Sequence, residues 1–185
     1  MKKTLQLIVS IAVAALLPIT ATAQGGCSDY TTIPYTTGFE GIATDGLPDC
    51  WQQITTGTNS GHTFPSVYQW PSNTRNGSCY FEFEASSSSS DTELVALPLM
   101  QNISGLKLTM WVSASSSYPC SLEVGVMEDS LFVPVDTLNL ITFSGASNWN
   151  QNYHEYTVYF AGYTGYGERM AIRAVRSGYG QYTLF

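Results

Sequence analysis

The chain alternates apolar and polar residues over several short runs. In the clearest run, residues 106–112, Leu106, Leu108, Met110 and Val112 share one face. A strand places successive side chains on opposite faces, so this period of two predicts strands with one buried and one solvated side. The same alternation recurs in Phe81 with Phe83, in Leu122 with Val124 and Val126, in Tyr156 with Val158 and Phe160, and in Met170 with Ile172 and Ala174.

Turn signals separate these runs. Asp45-Gly46 and Asn76-Gly77 are typical turn dipeptides, and the serine run at residues 86–90 is typical of a flexible loop. The sequence shows no internal repeat and no amphipathic helix longer than a turn or two. Many short strands at near-regular spacing predict an all-β, antiparallel sandwich or barrel.

Residues 1–23 have the features of a secretory signal peptide. Lys2 and Lys3 precede an apolar stretch at residues 5–17, and Ala21-Thr22-Ala23 is a small-x-small cleavage site. The apolar stretch is shorter than the roughly 20 residues that span a membrane. We therefore expect a secreted or cell-surface domain over residues 24–185, with no membrane span.

A lipid anchor on Cys27 is the alternative, because Gly25 and Gly26 precede that cysteine. Gln24 stands where a lipoprotein signal prefers Leu, Val or Ile. This mismatch favours ordinary cleavage before Gln24 over lipidation.

Charge argues against two classes of partner. Cleavage leaves 162 residues (185 minus 23), enough for one domain with a sizeable core. Those residues hold five basic and 14 acidic side chains, a formal charge of −9. Binding to nucleic acid or to anionic lipid depends on cationic contacts, so neither partner is expected.

All four cysteines lie in the exported part: Cys27, Cys50, Cys79 and Cys120. An oxidising compartment makes two disulfides plausible, with three possible connectivities, and we favour Cys27 with Cys50. No pair has the CxxC spacing, and His62 and His154 are the only imidazoles. A zinc site is therefore not expected.

The stretch Leu47 to Trp51 ("LPDCW") combines a turn with a large aromatic residue. Pro48 fixes a backbone angle and Asp49 can bond to nearby amides, so both suit the turn. Trp51 follows as the next strand begins, and we expect its ring to enter the core.

Catalytic chemistry is not expected. The chain has no G-x-S-x-G turn, and a nucleophile would need one of two loop or strand-end histidines as its base. Glu82 and Glu84 share one strand face at about 7 Å, a spacing that suits glycoside hydrolysis. Alternation with Phe81 and Phe83 places both carboxylates on the water-facing side, where neither pKa would rise.

Aromatic residues in glycine-rich or polar loops are the best indication of binding. They are Trp149, Tyr163, Tyr166 and Tyr179. Rings displayed from loops can stack on sugars or anchor a protein partner. The alternative is that these rings close the ends of the sandwich. One exposed cluster of Trp149, Tyr163 and Tyr166 would favour binding.

Several motifs occur in an order that resembles one family. They are "YTTGFE" at 35–40, "LPDCW" at 47–51, "SCYFEF" at 78–83, "ELVALP" at 93–98, "LKLTMWV" at 106–112, "LEVGVMED" at 122–129 and the run at 170–176. In this order the chain is similar, over about residues 33–185, to the choice-of-anchor J and cleaved-adhesin domains of secreted bacterial proteins, including gingipain adhesin segments. The likeness to MAM domains is more distant.

The resemblance implies a jelly-roll β-sandwich, usually non-catalytic, on adhesins, peptidases and glycan-processing proteins. It also implies that Glu40 could bind a structural calcium ion, with Asp91 or Glu93 as a second contributor. Family members generally close with an Ile-Asp-Asp type strand after a segment similar to residues 182–185. This chain stops there, so we expect a sandwich that lacks its last C-terminal strand.

These observations together predict a non-catalytic recognition or adhesion module that binds a glycan or a protein through its loops. Two alternatives stay open: an accessory domain of a secreted peptidase or glycosidase, and a structural spacer in a longer surface protein.

Overall fold

The computed structural model describes residues 27–59, 61–84, 93–116, 120–143, 152–176 and 180–184. The strands are β1 Gln52–Thr55, β2 Gly57–Asn59, β3 His62–Phe64, β4 Ser66–Gln69, β5 Cys79–Glu84, β6 Leu94–Leu99, β7 Lys107–Ser116, β8 Cys120–Glu128, β9 Leu131–Asn139, β10 Thr142–Phe143, β11 His154–Tyr159, β12 Arg169–Arg176 and β13 Gly180–Leu184. Two single 3₁₀ turns lie at Pro71–Asn73 and Ile103–Gly105. The described residues contain no α-helix, and the predicted all-β fold is confirmed.

Two sheets form the sandwich. The first has the antiparallel order β1-β6-β12-β8-β9. The second has the order β4-β5-β13-β7, and the far edge of β7 carries β11 in antiparallel and β10 in parallel pairing. The predicted lack of a last strand stays a prediction; β13 itself lies inside its sheet, between β5 and β7.

The core lies between the sheets and follows the predicted alternation. Leu122, Val124 and Val126 of β8 are fully buried, and Val124 pairs with buried Ile172 of β12. In β7 the expected apolar face is only partly covered, because Leu108 is half-buried whereas Val112 is buried. The reason is a cavity beneath the first half of β7.

Trp51 packs into this core, as predicted. Its ring centroid lies 5.1 Å from that of Phe81 and 6.2 Å from that of Phe39. Its indole Nε1 donates a hydrogen bond of 3.1 Å to the hydroxyl of Tyr35. Burying a large aromatic ring contributes several kcal/mol, at about 25 cal/mol per Å² of apolar surface, so Trp51 fixes the segment that precedes it.

A disulfide joins Cys27 to Cys50, the pair that we favoured, with a Cα–Cα distance of 5.0 Å. The guanidinium of Arg169 holds the same region by donating to the carbonyl oxygens of Cys27, Cys50 and Leu97. Burial lowers the pKa of Arg169. One cation thus ties the disulfide loop to β6.

The expectation that Cys79 could form a second disulfide is wrong. Cys79 is a free, buried thiol at the start of β5, and burial raises its pKa. Cys120 begins β8, which belongs to the opposite sheet, and its side chain lies outside the described residues.

The outer face of β5 is covered by the β2–β3 hairpin, which contacts this strand. Glu82 is therefore only 1% exposed, and the expected water-facing position of its carboxylate is wrong. Tyr80 is buried on the same side, and its burial and the nearby Glu82 raise the pKa of its phenol. The predicted alternation of side chains along β5 is correct, but side chains on both faces of this strand are buried.

Candidate binding cleft

A cleft opens where the edge strands of the two sheets meet. It lies between β9, at Val133–Val135, and the end of β11 at Tyr159, and the loop Gly162–Gly165 closes one side. Its volume is about 470 Å³. We call it the β9–β11 cleft.

Tyr159 forms an exposed wall of the cleft. It is the last residue of β11 and is 67% exposed, whereas its neighbours Val158 and Phe160 are buried. Alternation along the strand thus turns the Tyr159 ring outward while the residues on either side anchor the backbone.

Tyr166 stands just beyond the loop that lines the cleft and is 68% exposed. Its hydroxyl donates a hydrogen bond of 3.0 Å to Oδ2 of Asp129. This bond raises the pKa of Tyr166 and orients the ring at the surface. Tyr166 is therefore one predicted ligand-contacting ring that the structure displays.

Tyr163 does not lie where we expected. Its side chain is only 8% exposed, so the expectation that the loop displays this ring is wrong. The hydroxyl donates to Oε1 of Glu128 at 2.8 Å and accepts the amide of Gly167 at 2.7 Å. Burial and the bond to Glu128 raise the pKa of Tyr163. Tyr163 supports the cleft floor and holds the loop in place.

Gly165 allows this close packing. A Cβ atom at residue 165 would collide with Oε1 of Glu128 and would lie 2.6 Å from the Tyr163 hydroxyl. Only glycine lets the loop backbone pass so near to the carboxylate.

The charged side chains at the described part of the cleft are acidic. Glu128 is the one charged residue among the described residues that line it, and the Tyr163 and Thr164 hydroxyls add further hydrogen-bonding groups. Asp129 continues the acidic rim in the β8–β9 turn with a φ of 53°. The cleft can therefore offer ring faces, hydroxyls and a carboxylate acceptor to a neutral or cationic ligand.

Three predicted site residues, Trp149, Tyr179 and Asp91, lie outside the described residues. Of the three residues expected in one exposed aromatic cluster, Trp149, Tyr163 and Tyr166, the described part of the chain shows Tyr166 alone as exposed. The sequence reasoning missed Tyr159, Glu128 and Asp129. Tyr159 had a usable signal, because it alternates out of phase with the buried face of β11.

Glu40, the expected calcium ligand, acts as a hydrogen-bond acceptor between two segments. Its Oε1 accepts the amides of Ser78 at 2.6 Å and Cys79 at 2.8 Å, and its Oε2 accepts the Ser78 hydroxyl at 3.1 Å. The bonds from the Ser78 and Cys79 amides lower the pKa of Glu40. We call this arrangement the Glu40 clamp.

Glu93, the other expected contributor, is buried immediately before β6, with its carboxylate against Gly57. It thus contacts a different element from Glu40. No group of three or more His, Cys, Asp or Glu residues is placed to hold a metal ion within the described ranges.

No protein-family model, curated protein or solved structure matches this chain. Across the described residues, no helix combines the length and hydrophobicity needed to cross a bilayer.

Proposed function

We propose that this protein is an exported, non-catalytic recognition module that binds a glycan in the β9–β11 cleft. One observation carries the proposal: the exposed ring of Tyr159 lines a cleft whose floor presents the carboxylate of Glu128 and the hydroxyl of Tyr163. The exposed ring of Tyr166 stands beside the same loop.

This combination of groups suits a sugar. Pyranose rings have an apolar face that packs on aromatic rings and hydroxyl groups that donate to carboxylates. The cleft volume of about 470 Å³ lies within the range of about 300–1,000 Å³ that is usual for small-molecule sites. The absence of a lining cation among the described residues disfavours strongly anionic ligands.

Two features of the chain support export. The first is the signal-like segment at residues 1–23. The second is the Cys27–Cys50 disulfide, a bond that persists in oxidising compartments. The Cys27 sulfur in that bond is the atom that a lipid anchor would need.

A glycan screen of purified residues 24–185 tests the proposal. Because a single shallow site binds weakly, the protein should be displayed on a multimeric carrier, and the screen should run both with calcium and with a chelator. We expect binding to a subset of neutral or amino sugars. The calcium arm also tests whether Glu40 contributes a metal-dependent effect.

Three single substitutions locate the site. Tyr159→Ala removes an exposed ring that lines the cleft, and Tyr166→Ala removes an exposed ring one residue beyond the loop that lines it. Trp70→Ala is the control, because this ring is 53% exposed but belongs neither to the cleft nor to that loop. Loss of one stacking ring, at about 0.5–1.5 kcal/mol, corresponds to about a 2- to 13-fold loss of affinity. Trp70→Ala should bind as the wild type does.

Several results would contradict the proposal. Equal binding by Tyr159→Ala and the wild type would remove the cleft from consideration. If no glycan binds but a protein ligand does, and if that binding requires Tyr159, the result would favour protein recognition. Binding of neither a glycan nor a protein would favour the structural-spacer alternative.

A further inference from the structure

The carboxylate that lines the β9–β11 cleft has two oxygens in different situations. Oε1 of Glu128 accepts the Tyr163 hydroxyl at 2.8 Å, and that hydroxyl in turn accepts the Gly167 amide at 2.7 Å. Oε2 of Glu128 accepts no hydrogen bond from any described residue. Because Glu128 lines the cleft, Oε2 is the oxygen that is left for a bound ligand.

The Tyr163 hydroxyl has no proton to offer to a ligand. A phenol carries a single proton, and Tyr163 donates it to Glu128. The Tyr163 side chain is buried, which fixes the hydroxyl in this role. Gly165 packs against the same carboxylate, where a Cβ atom would collide with Oε1. Two residues of one loop therefore hold Oε1 of Glu128, and the cleft floor presents a hydrogen-bond acceptor rather than a donor.

A second carboxylate is held in the same way at the rim. Oδ2 of Asp129 accepts the Tyr166 hydroxyl at 3.0 Å, and Oδ1 accepts no hydrogen bond from a described residue. Neither Glu128 nor Asp129 forms an ion pair within the described part of the chain. Both negative charges are therefore uncompensated where the cleft opens.

The described cations lie away from the cleft, and none of them lines it. Arg173 is paired with Glu123, and Arg169 donates to backbone carbonyls. Lys107 lies opposite Tyr159 in the β7–β11 ladder, on the side of β11 that faces away from β9. A positively charged group of a ligand would therefore meet attraction in the cleft without repulsion from a lining side chain.

The Tyr159 ring adds a second attraction for a cation. The ring is 67% exposed and lines the same cleft as Glu128. The face of an aromatic ring attracts a cation through its quadrupole. An ammonium group has three N–H donors and needs only acceptors, which is what Oε2 of Glu128 supplies. A neutral hydroxyl can use the carboxylate but gains nothing comparable from the ring.

We propose that the ligand of the β9–β11 cleft carries a protonated amine, which binds Oε2 of Glu128 beside the Tyr159 ring. This inference rests on the proposed function, and it narrows the ligand from a glycan to an amino sugar with a free amine. An acetylated amine is neutral, so it loses both the ion pair and the attraction to the ring. A hydroxyl at the same carbon keeps one hydrogen bond but carries no charge.

Three tetrasaccharides with the same β-1,4-linked backbone test the inference. Carbon 2 of each sugar carries an amine in the first, an acetamide in the second and a hydroxyl in the third. Their affinities for residues 24–185, displayed on a multimeric carrier, are measured at low and at high salt. The amine form should bind about tenfold more tightly than either of the others at low salt. That preference should shrink at high salt, because ions screen the attraction between exposed charges.

Glu128→Gln and Glu155→Gln form a matched pair of variants. Each removes one negative charge, but Glu155 lies earlier on β11, opposite Trp111, and lines no part of the cleft. Glutamine at residue 128 keeps an acceptor for the Tyr163 hydroxyl, so the fold should be retained. The preference for the amine should fall to about threefold or less in Glu128→Gln, the share that the ring supplies. It should stay at about tenfold in Glu155→Gln.

The outcomes separate this inference from the proposed function. Binding that requires Tyr159 but is equal for the three tetrasaccharides would overturn the inference and leave the proposed function standing. An unchanged preference for the amine in Glu128→Gln would also overturn it, because the amine would then bind elsewhere. The comparison of ligands needs no variant, so an unstable Glu128→Gln would not prevent a decision.

The glycan screen decides the case in which none of the three tetrasaccharides binds. If the glycans that do bind all carry a free amine, and if acetylation of that amine weakens their binding about tenfold, the inference is supported. If glycans without a free amine bind equally well, it is overturned. If no glycan binds at all, the inference and the proposed function are overturned together.

Discussion

Reduction of the Cys27–Cys50 disulfide should destabilise the domain by an amount that depends on the number of residues between the two cysteines. The closed loop carries residues 33–39, most of which line the cavity beneath the first half of β7, and also Glu40. In the folded state Arg169 still holds the carbonyls of Cys27 and Cys50, so the native position of the loop should survive loss of the bond. The effect should then arise mainly in the unfolded state.

The magnitude follows from loop-closure entropy. A sequence separation of 23 residues gives about 3.4 kcal/mol at 25 °C in the chain-entropy treatment. For a domain of this size, each kcal/mol corresponds to roughly 2–4 °C in the thermal midpoint, so reduction should lower it by roughly 7–14 °C.

Urea unfolding of residues 24–185, with and without dithiothreitol, measures this effect. The double variant Cys27→Ala/Cys50→Ala should be less stable than the oxidised wild type and should not respond to the reductant. Cys79→Ala is the matched control, because Cys79 is a free thiol. The substitution removes a buried sulfur and so changes the packing around residue 79. The response of this variant to dithiothreitol should nevertheless equal that of the wild type.

Three results would refute the reasoning. A wild-type loss below about 1 kcal/mol would mean that the loop is already constrained in the unfolded state. A response of the double variant to dithiothreitol would reveal another disulfide. A diminished response of Cys79→Ala would show that Cys79 is bonded.

Three further predictions concern the cleft and the Glu40 clamp. Tyr163→Phe should lower the unfolding free energy by about 1.5–3 kcal/mol, because it removes the hydrogen bond to the Glu128 carboxylate and leaves the Gly167 amide without its acceptor. The control Tyr166→Phe, at an exposed residue, should show no such loss in thermal unfolding. Because the folded-state pKa of Glu40 is depressed below 4.5, its stabilisation is fully present above about pH 4.5 and is lost as pH falls through the lower folded value. The stability difference between wild type and Glu40→Gln should therefore shrink in acid, and a constant difference would contradict the assignment. Gly77→Ala should destabilise more than Gly61→Ala: both residues have positive φ (82° and 87°), but only at residue 77 would a Cβ collide with Glu40. The excess should disappear in a Glu40→Ala background.

The sequence predicted most strands because burial on one face leaves a period of two. The runs that contain Leu122, Ile172 and Val158 all form strands with those residues buried. It also predicted that Trp51 enters the core, because the burial of a large aromatic ring is strongly favourable.

Alternation cannot reveal what covers the outer face of a sheet. Glu82 obeys the predicted parity, yet the β2–β3 hairpin buries it, and that hairpin lies more than a dozen residues earlier in the chain. Tyr163 illustrates the same limit for loops, because a glycine-rich context is compatible with either an exposed or a buried ring. Its partner, Glu128, becomes a neighbour only through the pairing of β8 with β12.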